Sequence, residues 1–361
     1  MRMITFFALS IASFGANAAI GEAILKVMPT VDLVQKSNYG KNSFQLFNTG
    51  EKNIVELKID ASKAIFPGMV FDPYGLAGDS AAKPLQIDTD GRTGVVINNP
   101  YIGQGGKKGF NGLRLTFNTK KNRGFNPGES VGFSVDMDPN SIAGTRKSDI
   151  DGDSSPKWDV GGVSGAELIG ATFTVTFADG TSASGQLFST ATQAGSQGFA
   201  SQTRQGPQVQ LTVNGLKPGQ VGKYSNGGPR IVVSGASGKR VRVVVAKGFI
   251  QPVKAYNNAL LAQLDRLSKT NFPANNAVEF QFFDVDMRGR SVDITDKFNF
   301  ARVKDYDFSA DPAKPFSVDE NKVSLAVVAA VIDPQNKDMP AGPVTKPIYL
   351  NFNKGSSNNS N

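Results

Sequence analysis

The sequence contains no histidine and no cysteine among its 361 residues. Without these side chains, histidine-containing catalytic triads, thiol enzymes and the common zinc hydrolases are excluded. The lack of cysteine also means that no disulfide supports the fold, which must rest on core burial or on bound ions. Few enzyme classes remain open. One is a glycosidase, which needs only two carboxyl groups across a cleft. Metal-free catalysis by Lys or Ser-Lys is another, although no recognisable motif supports it.

Long apolar runs are also lacking. The longest one near the start, residues 4–12, is well short of the ~20 apolar residues that span a bilayer. It follows the charged start Met1-Arg2 and precedes Ala16-Asn17-Ala18, an A-x-A cleavage signal. This pattern predicts a secretory signal peptide over residues 1–18. We therefore expect a secreted protein with no transmembrane segment, extracellular or at the cell surface, with the periplasm as the alternative.

The formal charge is +8, and it falls by one when Arg2 leaves with the signal peptide. A basic chain favours weak association with anionic polymers. Lysine and arginine are scattered along the sequence, however, and are not interleaved with aromatic residues. The charge therefore indicates ordinary solubility, and no specific binding of nucleic acid is expected.

The clearest local pattern is a β-hairpin in residues 161–188. Phe173, Val175 and Phe177 alternate with threonines, as in a strand with one buried face. A two-residue turn at Asp179-Gly180 would set phenylalanines opposite polar residues. A three-residue loop with Gly180 left-handed sets Val175 opposite Ala183, Phe173 opposite Gly185 and Ala171 opposite Leu187. We predict this second register.

Short strand-like runs separated by Gly, Asn and Pro turns continue to the C-terminus and predict an all-β fold. The length favours two domains. We place a jelly-roll or Greek-key-like β-sandwich at residues 19–216, an immunoglobulin- or fibronectin-like β-sandwich at 217–353, and a disordered tail at 354–361. Leucines at helical spacing predict one amphipathic helix over 255–269 in the second domain. The Gly- and Ser-rich residues 189–206 are predicted to be a mobile loop.

Aspartates are densest just before the hairpin, in VDMDPNSIAGTRKSDIDGDSSPKWD. Carboxylate oxygens are the ligands that calcium prefers, and the alternate spacing of three of these aspartates resembles that of a calcium loop. An EF-hand is excluded because Gly152 comes too early in the loop and Val160 stands where the bidentate glutamate would be. Turn formation by Asp and Gly is the alternative explanation. The predicted calcium ligands are Asp136, Asp138, Asp149, Asp151, Asp153 and Asp159.

Three residues are candidates for carbohydrate binding: Trp158, Lys157 and Tyr101. Trp158, the only tryptophan, lies beside the acidic loop, and Tyr101 lies in NNPYIGQGG. Sugar sites combine a flat aromatic face with a few fixed polar groups. A single tryptophan can instead be a core residue.

Several stretches resemble modules of large secreted proteins of environmental bacteria: AIFPGMVFDPYGLAGD, VDMDPNSI and the hairpin GVSGAELIGATFTVTFADGT. In those proteins the module resembles a β-sandwich, is often followed by an immunoglobulin- or fibronectin-like one, and is found among malectin-like and other polysaccharide-associated domains. The resemblance implies an association with polysaccharide. It implies no catalytic residues.

The leading functional hypothesis is a non-enzymatic surface or matrix protein that binds carbohydrate or mediates adhesion, with calcium stabilising the acidic loop. The second hypothesis is a structural subunit of an extracellular filament or matrix, whose sheet edges or residues 19–36 pair with a second copy. The third is a carboxylate-only glycoside hydrolase. The expected partners are therefore an extracellular polysaccharide, a cell-surface glycan or copies of the protein itself.

Overall fold

The computed structural model describes residues 19–30, 38–65, 68–78, 81–118, 124–139, 163–190, 194–203, 206–213, 221–224, 230–248, 279–297, 323–336 and 339–352. The predicted signal peptide, the predicted helix at 255–269 and the predicted tail at 354–361 lie outside these residues. In the described part the protein is mostly β, and most strand pairs are antiparallel. The prediction of an all-β fold is thus confirmed.

The strands, in chain order, are β1 Glu22–Val27, β2 Phe44–Asn48, β3 Ile54–Asp60, β4 Met69–Phe71, β5 Gln86–Asp90, β6 Val95–Val96, β7 Tyr101–Gly103, β8 Phe110–Phe117, β9 Ser130–Ser134, β10 Met137–Pro139, β11 Thr172–Phe177, β12 Ser182–Gln186, β13 Phe188–Ser189, β14 Ser196–Ser201, β15 Val209–Val213, β16 Val221–Tyr224, β17 Ile231–Gly235, β18 Arg240–Gly248, β19 Glu279–Asp286, β20 Ser291–Asp293, β21 Val323–Val331 and β22 Ile348–Phe352. Single turns of 3-10 helix occur at Ala61–Lys63, Gly106–Lys108, Ala166–Leu168 and Thr295–Lys297.

Two sheets share the main apolar core. The first has the order β13-β14-β1-β2-β9-β5, and the second has the order β10-β4-β8-β3-β11-β12, with β6 and β7 also paired to β8. Phe44 of the first sheet stacks on Phe133 of the neighbouring strand at 5.1 Å. Phe44 also meets Phe71 of the second sheet at 6.4 Å. Alternating large apolar residues on both sheets therefore fill one core.

The predicted hairpin has the predicted register. Phe173 lies opposite Gly185, and Val175 lies opposite Ala183. The N–H of Phe177 bonds to the carbonyl of Thr181 at 2.8 Å, which closes a three-residue loop. Gly180 in that loop has φ +81°, a left-handed conformation that glycine adopts at little cost. The register prediction, including Ala171 opposite Leu187, is confirmed.

A third sheet has the order β15-β17-β20, and a fourth has the order β16-β22-β21-β18-β19. The fourth sheet is apolar on both faces. Val244 and Ala246 of β18 join the main core, whereas Val243 and Val245 join a second core with the third sheet. A strand buried on both faces needs a continuous apolar run, which explains the sequence RVVVAK.

Polar contacts also cross the predicted domain boundary. The backbone N–H of Val344 donates to Gln186 Oε1 at 3.0 Å, and the Arg242 guanidinium donates to the carbonyl of Ser189 at 3.4 Å. Strand β15, which precedes the boundary, pairs with β17, which follows it. The division at residue 216 remains a prediction.

One expectation from composition was wrong. Residues 189–206 were predicted to form a mobile loop, but β14 lies there, between β13 and β1 in the first sheet. Its inward positions Ser196, Gly198 and Ala200 are small because the sheet is closely packed at this point. The Cβ of a larger residue at Gly198 would meet the Phe173 ring at 2.7 Å.

In the structural hypothesis, either sheet edges or residues 19–36 pair with a second copy; of this segment, residues 31–36 lie outside the described residues. Strand β1 instead lies between β14 and β2 of its own chain, with Leu25 opposite both Leu46 and Gly198. Both of its edges are thus occupied. This strand is not available to another molecule in the folded state.

Candidate functional site

Tyr101 is the predicted sugar-binding residue that the structure describes. It begins β7, which pairs with β8 so that Tyr101 lies opposite Leu113. Its ring is partly buried against the main core, and its hydroxyl accepts a 2.7 Å hydrogen bond from the backbone N–H of Leu85. Burial raises the pKa of Tyr101 above the usual value of 10.0. The side chain is thus held in one position and stays neutral at physiological pH.

Two more aromatic rings pack beside Tyr101. The Phe110 ring lies 5.1 Å from it, and the Tyr74 ring meets it edge-on at 6.0 Å with an interplanar angle of 71°. Tyr74 also meets Phe110 at 6.3 Å. We call Tyr74, Tyr101 and Phe110 the aromatic patch. Its outermost ring, Tyr74, is 55% exposed.

The loop that carries Tyr74 is organised by Asp72. The Asp72 carboxylate is buried and accepts hydrogen bonds from the backbone N–H groups of Leu76 at 2.9 Å, Ala77 at 2.7 Å and Gly78 at 2.9 Å. An ionised carboxylate that accepts several N–H groups forms strong hydrogen bonds. Asp72 therefore fixes the loop, and with it the position of the exposed ring.

A glycine-rich loop lies against the other side of the patch. The N–H of Gly105 bonds to the carbonyl of Gly109 at 2.9 Å. Gly105 has φ +67°, and a Cβ there would lie 2.7 Å from the Phe110 ring. The absence of a side chain thus lets the loop pack on Phe110 and places Lys107 and Lys108 at the surface beside the patch.

An apolar side chain extends the exposed surface beside Tyr74. Leu76, in the same loop, is 51% exposed. A group of exposed apolar and aromatic residues rimmed by lysines is typical of an interaction surface. Tyr101 alone could be recognised in the sequence. Tyr74 and Phe110 could not be recognised in the sequence, because what marks them is that they lie close to Tyr101. The three residues come together only when the chain folds.

Two of the six predicted calcium ligands are described, and both are fully buried. Asp136 and Asp138 lie on or next to β10, and the Asp136 carbonyl accepts the N–H of Asp72 at 3.0 Å. Gly78 lies directly against the Asp138 side chain, so no larger residue fits there. The loop held by Asp72 thus packs on this acidic pair.

The other four predicted ligands, Asp149, Asp151, Asp153 and Asp159, lie outside the described residues, as do Trp158 and Lys157. Among the residues that the structure does describe, no group of three acidic side chains is arranged to hold a metal ion. The calcium site and the role of Trp158 therefore remain predictions.

Comparison with known proteins adds no relative. The chain matches no protein-family model, no curated protein and no solved structure. In the described part of the chain, no helix has both the length and the apolar character needed to cross a membrane.

Proposed function

We propose that this protein is a secreted, non-enzymatic protein of the cell surface or extracellular matrix that binds carbohydrate through the aromatic patch. The observation that carries the proposal is the exposed Tyr74 ring, which packs on Tyr101 and Phe110 and is held by the Asp72 loop. A preorganised ring loses little conformational entropy on binding. The ligand would be an extracellular polysaccharide or a cell-surface glycan.

The chemistry of the patch suits a sugar. The C–H face of a pyranose ring is apolar and stacks on an aromatic face, while its hydroxyls need polar partners at the edge. Here the exposed Lys107 and Lys108, in the loop that packs on Phe110, would be such partners. The same lysines favour a glycan that carries negative charge.

The proposed context is an exported protein. It rests on the signal peptide pattern at residues 1–18 and on the resemblance to modules of secreted bacterial proteins. We interpret the first two sheets as one β-sandwich and the last two as an immunoglobulin-like one. The shared core of each sheet pair supports this interpretation.

Calcium binding is a further part of the proposal. Asp136 and Asp138 would contribute together with Asp149, Asp151, Asp153 and Asp159. The first two lie buried beside the loop of Asp72, and carboxylate oxygens are the ligands that calcium prefers. A calcium ion at this point would stabilise the loop of Asp72 and Tyr74, which packs on Asp138.

The test is a glycan array followed by calorimetric titration of the best ligand, each with and without calcium. Tyr74→Ala should weaken binding about tenfold or more because the stacking face is lost, and Tyr74→Phe should retain most of the affinity. Tyr39→Ala is the matched control, since Tyr39 is also a partly exposed tyrosine but is not part of the patch. The proposal fails if no glycan binds, or if the Tyr39 variant loses as much affinity as the Tyr74 variant.

A second candidate function, a subunit of an extracellular assembly, is favoured by the edge formed by β6 and β7. In the described part of the second sheet these strands pair only with β8, and Val96, Ile97 and Ile102 on or beside this edge are exposed. An apolar, uncharged strand edge can pair with another chain. Under this hypothesis the partner is a second copy, and Ile102→Lys should abolish concentration-dependent assembly in sedimentation experiments.

A further inference from the structure

Two basic turns that are distant in the sequence lie side by side in the fold. One precedes β18 and the other follows β19. The N–H of Gly238 donates to the Met287 carbonyl at 2.6 Å, and the N–H of Met287 donates to the Lys239 carbonyl at 2.9 Å. These bonds bring Lys239 and Arg240 next to Arg288. The sequence shows scattered cations at these positions, and the antiparallel pairing of β18 with β19 groups them.

A cleft of about 440 Å³ lies between these turns and the segment that follows β21. This volume is within the range of small-ligand sites, about 300 to 1,000 Å³. Met287 and Ile332 lie buried behind the lining, and the exposed Pro334 contributes apolar surface. We call this feature the basic cleft.

The charges in the basic cleft are mixed. Arg240 donates to the Asp286 carboxylate through Nε at 2.7 Å and Nη2 at 3.3 Å. Lys239 and Arg288 form no ion pair with another described residue and are exposed. Asp333 also lines the cleft. Three cations thus share the cleft with two carboxylates.

We propose that the basic cleft binds an acidic sugar residue, a uronic acid within a polysaccharide. The sugar carboxylate would pair with Arg288 and Lys239, as a planar guanidinium and an ammonium both bind carboxylates. The sugar hydroxyls would donate to Asp286 and Asp333. The apolar C–H face would lie over Pro334.

The two carboxylates make the cleft selective among acidic ligands. Asp286 and Asp333 accept hydrogen bonds but repel a second negative charge. A nucleic acid or a densely sulfated chain has many anionic groups and few hydroxyls, so it meets this repulsion without satisfying the acceptors. A uronic acid has one carboxylate and several hydroxyls and fits the mixture of charges.

Asp286 is not suited to be the acid of a glycosidase. A glycosidase requires a carboxylic acid whose pKa is raised, so that it holds a proton near neutral pH. The hydrogen bond from Arg240 instead lowers the pKa of Asp286 below the usual 3.8. Asp286 therefore stays ionised and serves as a hydrogen-bond acceptor.

The test is calorimetric titration of the mature chain with trigalacturonate at low ionic strength, compared with the fully methyl-esterified trimer. The ester should bind at least about tenfold more weakly, because its carboxylates are neutral. Arg288→Gln and Lys239→Gln should each weaken trigalacturonate binding about three- to tenfold. Arg230→Gln and Lys297→Gln remove exposed charges outside the cleft and should leave it unchanged. Thermal unfolding verifies that each variant is folded.

Several outcomes would overturn the proposal. The first is that the ester binds as tightly as trigalacturonate, and the second is that the control variants lose as much affinity as the cleft variants. The third is that inorganic sulfate or a single-stranded DNA oligomer binds more tightly than the trimer. The fourth is that the protein hydrolyses the trimer. The Tyr74→Ala variant separates this site from the aromatic patch. Its trigalacturonate affinity should equal that of the unaltered protein, since Tyr74 does not line the basic cleft.

Discussion

The Oδ2 atom of Asp72 accepts a 2.7 Å hydrogen bond from the backbone N–H of Ala77, and both residues are buried. The same carboxylate also receives the N–H groups of Leu76 and Gly78. This single side chain thus organises the loop that presents Tyr74.

Asp72→Ala should therefore lower the free energy of unfolding by about 2 to 4 kcal/mol, because three N–H groups lose a charged acceptor. Asp72→Asn should cost less, since its amide oxygen still accepts. Urea unfolding measures both changes, and amide hydrogen exchange at residues 76–78 should accelerate in the alanine variant. Unchanged exchange there would show that the loop does not depend on Asp72.

Substitutions at two glycines of the hairpin distinguish the cost of backbone strain from the cost of a packing clash. Gly180 has φ +81° and open space around it, so Gly180→Ala should cost only the strain of the left-handed conformation, about 1 to 2 kcal/mol. Gly185→Ala should cost more, because its Cβ would lie 2.5 Å from the Phe199 carbonyl oxygen. Gly180→Asn should recover part of the loss. Denaturant unfolding compares the three variants, and the order of their stabilities is the prediction.

Arg242 is a buried cation in the fourth sheet. Its guanidinium pairs with Asp284 at 2.9 Å and lies 4.4 Å from the centre of the Phe282 ring. Asp284→Ala would leave this charge without its partner and should destabilise the protein by about 1 to 3 kcal/mol, because Asp284 is itself partly exposed.

The double variant Arg242→Met/Asp284→Ala is the control for this effect. It removes both charges and keeps an apolar side chain in place, so it should recover much of the lost stability. A double variant as unstable as the sum of its parts would show that packing, and not the unpaired charge, causes the loss.

The acid stability of the third sheet should depend on Asp293. The hydroxyl of Thr295 and the guanidinium of Arg230 hold the pKa of Asp293 at about 2, below the usual 3.8. A carboxyl whose pKa is lower in the folded state stabilises the protein above its unfolded pKa, and this contribution disappears as pH falls toward 2.

Stability measured by urea unfolding should therefore decrease between about pH 4 and pH 2, and Asp293→Asn should make this decrease smaller. Nuclear magnetic resonance titration of Asp293 measures the pKa directly. A value near 3.8 would contradict the prediction.

Calcium should raise the melting temperature of the mature chain if the acidic loop binds it, because a ligand of the folded state alone stabilises that state. The comparison is thermal unfolding in EDTA and in millimolar calcium. Asp151→Ala and Asp153→Ala should abolish the shift. If calcium does not change the melting temperature, these aspartates form turns and do not bind calcium.

Much of the local structure could be predicted. The all-β class follows from the short strand-like runs, and the hairpin register follows from the position of Gly180. Strand β14 was missed because its inward residues are small and carry little hydrophobic signal, although the sheet needs small residues there.

The candidate sites were less predictable than the strands. Tyr101 was identified from its sequence surroundings, whereas its neighbour Tyr74 and the Asp72 loop were not. In the basic cleft, Lys239 and Arg288 are 49 positions apart and meet only through the pairing of β18 with β19.

The all-β class, the alternation of buried and exposed residues and the hairpin turn follow from the sequence alone. Period-two alternation and left-handed glycines are properties of neighbouring residues, so they can be read along the chain. Which aromatic rings form the patch and which cations share the cleft depends on the fold. Strand pairing brings distant segments together through backbone hydrogen bonds. Every residue type can form these bonds, so the sequence does not indicate which side chains become neighbours.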